Sequence, residues 1–177
     1  ITSLLKPGDE LINIEPSWPA YKECAEFIGA KTRLLKTTIE DRWTPNLTTL
    51  ESLININTKM LILNYPNNPT GKVLDSHLLE KIVSIAKDYN LYILSDEVYS
   101  DYSFGKYHSI IDFKYDQSIM VSSFSKTYGM TGFRVGYGIA NNNIISKMRK
   151  IQATSITSVA EPMQYSALAA IGNDIRK

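Results

Sequence analysis

An α/β fold is predicted, with three layers: a mostly parallel sheet and helices on both of its faces. Three observations lead there. Short apolar runs alternate with segments of helical periodicity. Two of the runs, 59–65 (KMLILNY) and 91–94 (LYIL), are almost continuously apolar, as strands buried on both faces are. Proline, glycine and asparagine punctuate the chain at intervals of about 20–30 residues, which suits alternating strands and helices.

The elements follow in order. Residues 1–7 read as the tail of a helix, and Lys6-Pro7-Gly8-Asp9 as a turn into a strand over 10–14. Residues 19–28 read as a helix stopped by Gly29, and 31–36 as a second strand. A short helix is expected over 49–54, with Leu50, Leu53 and Ile54 on one face. The strand over 59–65 ends in a Pro/Asn/Gly turn. Asp75 can cap the next helix, whose stripe is Leu78, Leu79, Ile82, Val83, Ile85 and Ala86. Further strands are expected over 91–94, 118–122 and 135–140, then a helix from 141 to about 152 and a helix-like end over 167–177.

Composition removes several functions. Basic and acidic side chains number 19 and 18, so the net charge of +1 provides no field for nucleic acid or an anionic membrane. No apolar run nears the ~18 residues of a membrane span. The single cysteine, Cys24, excludes an internal disulfide framework and a multi-cysteine zinc site, and suits a cytoplasmic setting. His77 and His108 stand alone, without metal-ligand spacing.

In open α/β sheets chemistry gathers beyond the carboxyl ends of the strands. Three strand ends here carry unusual residues. The first delivers Asn67, Asn68, Pro69, Thr70 and Gly71; the second Ser95, Asp96, Glu97 and Tyr99; the third Ser123, Ser125, Lys126 and Thr127, with Arg134 soon after. Asp96 follows an apolar run, and a carboxylate there needs a cation or hydrogen bonds. It serves as a helix cap or salt-bridge partner, or as a charge that keeps a ligand cation protonated. Lys126 lies among small hydroxyl residues with Arg134 near in sequence. A lysine placed near other cations loses its proton readily and attacks carbonyls, which is Schiff-base chemistry. The glycines at 129, 132, 136 and 138 lack dinucleotide-fingerprint spacing. A P-loop would need glycine where Met120 and Ser125 stand.

Asn68-Pro69-Thr70-Gly71, Ser95-Asp96-Glu97-Val98-Tyr99 and the run 122–134 (SSFSKTYGMTGFR) strongly resemble the class I/II aminotransferases, fold type I enzymes that use pyridoxal 5′-phosphate. From Asn68 to Asp96 is 28 residues and from Asp96 to Lys126 is 30, as in that family. The resemblance implies that Lys126 is the Schiff-base lysine and shuttles the substrate α-proton, and that Asp96 partners the pyridinium nitrogen. It implies Tyr99 and Asn68 as donors to the phenolic oxygen, Ser123, Ser125 and Arg134 as phosphate ligands, and Trp18 as the ring stacked on the cofactor. It also implies cis peptides at Glu15–Pro16 and Asn68–Pro69. Amino acid and 2-oxo acid are then the substrates, and the full-length protein is a homodimer.

By the same resemblance, residues 1–177 are the cofactor-binding large domain. The N-terminal arm, a glycine/serine-rich phosphate turn and a C-terminal small domain with the carboxylate-gripping arginine lie outside it. The fragment alone is therefore expected to bind cofactor weakly and to be inactive. Two other readings share the motifs: a carbon–sulfur β-lyase, and a cofactor-binding sensor domain of a transcription regulator. A purely structural α/β domain is the fourth.

Overall fold

The computed structural model describes residues 1–172. Six strands form one sheet among them: β1 (Glu10–Glu15), β2 (Lys31–Lys36), β3 (Thr58–Asn64), β4 (Tyr92–Asp96), β5 (Ser118–Ser123) and β6 (Gly136–Ile139). Their order is β2-β1-β3-β4-β5-β6. The first five are parallel, and β6 runs antiparallel to β5. Five helices connect or follow them: α1 (Ala20–Phe27), α2 (Leu47–Leu53), α3 (Ser76–Asp88), α4 (Asn142–Ser155) and α5 (Glu161–Gly172). Every expected strand is present, with ends displaced by a residue or so.

Side chains on a strand alternate between faces, and the core divides accordingly. Ile12, Ile14, Leu61, Leu63 and Ile93 pack with Leu50 of α2 and with Leu79, Ile82, Val83 and Ala86 of α3. Leu11, Met60 and Ile62 point the other way and pack with Tyr21 and Ala25 of α1, with Tyr92 and Leu94 beside them. Helices thus cover both faces, and the apolar runs are continuous because both sides of these strands are buried.

Caps set the helix starts. Asp75 Oδ1 accepts from Leu78 N at 2.8 Å, as expected, and Asn141 and Asn46 do the same for α4 and α2. Gly29 ends α1 at φ +75°, where a Cβ would also meet Pro7 Cβ at 3.3 Å. Residues 1–7 hold a turn, with Leu4 N and Leu5 N both donating to Ile1 O, which Pro7 and Gly8 bring to an end. One expectation needs correction. The last helix starts at Glu161, six residues before the expected 167; residues 173–177 of that expectation lie outside the described residues. Cis peptides occur at Glu15–Pro16 and Asn68–Pro69, as expected, and also at Tyr65–Pro66.

Among the described residues no helix is long and apolar enough to cross a membrane, and no group of three or more His, Cys, Asp and Glu could hold a metal ion.

Leu61 is fully buried in β3 against α3, so Leu61→Ala should lower the unfolding free energy by about 2–5 kcal/mol. Phe27, 89% exposed at the end of α1, should tolerate Phe27→Ala within about 0.5 kcal/mol. Urea unfolding of the two variants side by side checks the assignment of the core.

Candidate active site

Parallel strands end on the same edge of a sheet, and here β1, β3, β4 and β5 deliver their carboxyl ends together. Register places Asn64 beside Asp96, and Asp96 beside Val121. The alternation of faces then selects which side chains meet. Tyr92, Leu94 and Asp96 share the α1 face of β4, so Asp96 continues an apolar row out of the core. Asn64 continues Met60 and Ile62 in the same way.

A cleft of about 350 Å³ opens at that edge. Its lining includes all eight candidates: Trp18, Asn68, Asp96, Tyr99, Ser123, Ser125, Lys126 and Arg134. They come from several local devices. Trp18 lies between the end of β1 and the start of α1. Asn68 sits on a turn built around buried Asn67, whose amide donates to Pro16 O at 2.9 Å and to Asn64 O at 3.2 Å. Asn67 Oδ1 in turn accepts from the N and Oγ1 of Thr70. One buried side chain therefore ties the loop after β3 to the loop after β1.

Lys126 is presented by a loop folded over its own small core. Phe124, Met130 and Val135 are buried with Ala167 of α5, and Phe124 stacks on Tyr128 at 5.2 Å. With Phe124 anchored, Lys126 projects two residues further. Its Nζ lies over the Tyr99 ring, 5.6 Å from the centroid, a cation–π contact, and among the described residues it forms no ion pair. Arg134 takes a left-handed backbone conformation (φ +56°), and its Nη1 donates to Thr131 O at 2.9 Å. Thr131 Oγ1 donates to Ser125 O at 3.0 Å, and Ser125 N to Ser123 Oγ at 3.3 Å. Two hydroxyls and a guanidinium are thus gathered in one turn, a donor set suited to a phosphate.

Asp96 and Glu97 are adjacent carboxylates with opposite surroundings. Glu97 faces the α3 side, is 3% exposed, and accepts from Ser95 Oγ and Ile110 N, both at 2.9 Å. It is enclosed within the fold. Asp96 is only partly buried; Oδ1 accepts from Val98 N at 3.2 Å and Oδ2 from Tyr21 OH at 2.5 Å. It faces the cleft with acceptor capacity to spare.

The lining also holds Tyr21, Asn64, Val98, Val121, Ser122 and Thr131, which sequence reasoning did not put forward as site residues. Tyr21 had a signal: it stands three residues after Trp18 at a helix start, a spacing that places two side chains on one face. Burial first, then the charge and hydrogen bond of Asp96, push the Tyr21 phenol well above the usual tyrosine range.

A family profile described as aminotransferase class I and II matches residues 1–177. The aspartate aminotransferase of Pyrococcus horikoshii is 39% identical over 174 residues, which cover 97% of this chain and 44% of that one. A solved aspartate aminotransferase from Thermotoga maritima superposes with a TM-score of 0.93 at 36% identity, covering 97% of this chain and 47% of that one. An aromatic aminotransferase structure from Pyrococcus horikoshii gives 0.92 at 33%, covering 98% and 48%. The chain spans about half the length of the relatives it matches.

The phenols of buried Tyr21 and Tyr65 and of partly buried Tyr107 are raised above the ordinary value of 10.0, each chiefly by desolvation. The folded state then holds protons that the unfolded chain releases. Their contribution to stability is whole below pH 10 and falls as pH rises past it, by up to about 1.4 kcal/mol per pH unit for each proton withheld. Unfolding free energy measured against pH should bend downward near 10, and Tyr65→Phe should make that descent shallower. An unchanged slope in the variant would contradict the assignment.

Proposed function

The chain belongs to the class I and II aminotransferases, and on that premise we propose that the protein transfers an amino group between an amino acid and a 2-oxo acid with pyridoxal 5′-phosphate bound in the cleft. The observation that carries the reading is the convergence of a carboxylate, a primary amine and a phosphate-suited donor set on one cavity of about 350 Å³, within the size range of small-molecule sites.

The residues present fit the cofactor in kind. Asp96 offers an anion to a ring cation. Lys126 offers an amine to an aldehyde. Ser123, Ser125 and Arg134 offer hydroxyls and a forked guanidinium to a phosphate, and Trp18, Val98 and Val121 offer apolar surface to a flat ring. Tyr99 and Asn68 stand as donors for the phenolic oxygen. When bound, this cofactor acts as an electron sink that stabilises a carbanion at the substrate α-carbon.

What the chain supplies is binding, orientation and one mobile base. Asp96 is held on both oxygens, so it presents a fixed negative charge. Lys126 Nζ rests on the Tyr99 ring, a contact of roughly 0.5–2 kcal/mol, which leaves the amine free to swing and carry a proton. Arg134 and its hydroxyl neighbours would hold the phosphate. The same premise makes residues 1–177 the cofactor-binding large-domain portion of a homodimeric, cytoplasmic enzyme. The relatives are named for aspartate and for aromatic substrates alike, so the amino acid itself is left open.

In the full-length protein, Lys126→Ala should abolish both transfer activity and the visible absorbance of the lysine-linked cofactor. Wild-type absorbance in that variant would refute Lys126 as the anchor. Product analysis separates transfer from elimination: amino-group transfer to 2-oxoglutarate is expected, and release of pyruvate with ammonia would instead identify a β-lyase.

A further inference from the structure

We infer that Tyr21 is a positioning residue for the cofactor: its phenol holds the Asp96 carboxylate in place, and so determines how tightly the cleft grips a pyridine ring. The inference rests on the reading of the cleft as a pyridoxal 5′-phosphate site.

Tyr21 has two surroundings. Its ring is 5% exposed and belongs to the α1-side core with Leu11, Ala25, Met60 and Ile62. Its hydroxyl emerges at the cleft and donates to Asp96 Oδ2 at 2.5 Å, across 75 residues of chain. The other Asp96 oxygen accepts from the backbone N of Val98 at 3.2 Å. Each oxygen thus has one donor, from a packed aromatic on one side and main chain on the other. A carboxylate held at both oxygens cannot rotate freely, and each oxygen retains a lone-pair direction for a further donor.

The chemistry of the donor matters as much as its position. A lysine or arginine at position 21 would cancel the charge of Asp96. A phenol donates without cancelling it, so the anion remains available to a ring N–H⁺. The burial that keeps Tyr21 protonated also keeps it a donor throughout the neutral range. The Tyr21 ring further meets Trp18 edge-on, with centroids 5.5 Å apart and planes at 90°. Trp18 is 53% exposed, so this contact is a main restraint on the ring expected to stack over the cofactor. One side chain therefore touches both the Asp96 carboxylate and the Trp18 ring.

A double-mutant cycle in the full-length protein tests this. The readout is the dissociation constant for pyridoxal 5′-phosphate, from absorbance titration of cofactor-free protein. Tyr21→Phe keeps the ring and its contact with Trp18 and removes only the hydroxyl. It should weaken binding by about tenfold, the scale of one hydrogen bond to a charged group. In an Asp96→Asn background the same change should have little further effect, because the phenol acts through that carboxylate. The thermal midpoint of the cofactor-free Tyr21→Phe protein should stay close to wild type. Unchanged affinity would overturn the inference. An equal loss in both backgrounds, or a loss accompanied by a large drop in thermal midpoint, would assign Tyr21 to packing alone and overturn it as well. Failure of the wild-type protein to bind the cofactor would sink the underlying reading, a result distinct from either of these.

Discussion

The site depends on the phase of one strand. Residues on β4 alternate between two buried faces, and that alternation is anchored by fully buried Ile93 on one side and by Leu94 with Tyr92 on the other. Because Asp96 shares the phase of Leu94, it leaves the sheet on the α1 face, where Tyr21 and Trp18 wait. A slip of one residue would exchange Asp96 and Glu97. The cleft would then receive the longer Glu97 carboxylate, and the shorter Asp96 carboxylate would enter the enclosed α3 side, away from Tyr21. The slip is opposed by the core itself, since it would drive every apolar side chain of β4 to the wrong partner.

The parallel arrangement supplies the second constraint. Asn64 and Asp96 end neighbouring strands in register, and β5 runs two residues past Val121, the partner of Asp96, to end at Ser123, so side chains far apart in sequence arrive at one edge of the sheet. No single loop could carry a carboxylate, an amine and a phosphate-suited donor set with this spacing while keeping each one's backbone hydrogen-bonded. The sheet provides that order at the edge, and Asn67 and Phe124 extend it into the loops by burying one side chain apiece.

Much of this was legible in the sequence because it depends on local pattern. The runs 59–65 and 91–94 announce strands buried on both faces, and Asp75 announces a helix start; all three are as expected. The site residues were legible because they fall directly after apolar runs, where ordinary core-forming chemistry stops. Tyr21 was only hinted at by its place three residues after Trp18, because a tyrosine in an amphipathic helix carries the same signal whether its hydroxyl meets water or a carboxylate from 75 residues away. Asn64 was hidden differently: it closes an apolar strand and reads as the beginning of the turn.

The two charged groups at the centre of the cleft are restrained to different degrees, and that difference suits the tasks proposed for them. Asp96 is the last residue of a strand, pinned by a backbone N–H and a buried phenol, with a short side chain. Lys126 is on a loop, and its long side chain reaches the cleft through four rotatable methylenes to rest on an aromatic face. A charge that must stay opposite a ring nitrogen benefits from the first kind of restraint, since any rotation would lose the pairing. A base that must collect a proton at one atom and return it at another requires the second. Exchanging the two supports would give a wandering counter-ion and an immobile base, so the fold's placement of a strand end under one group and a loop under the other follows from the chemistry each has to perform.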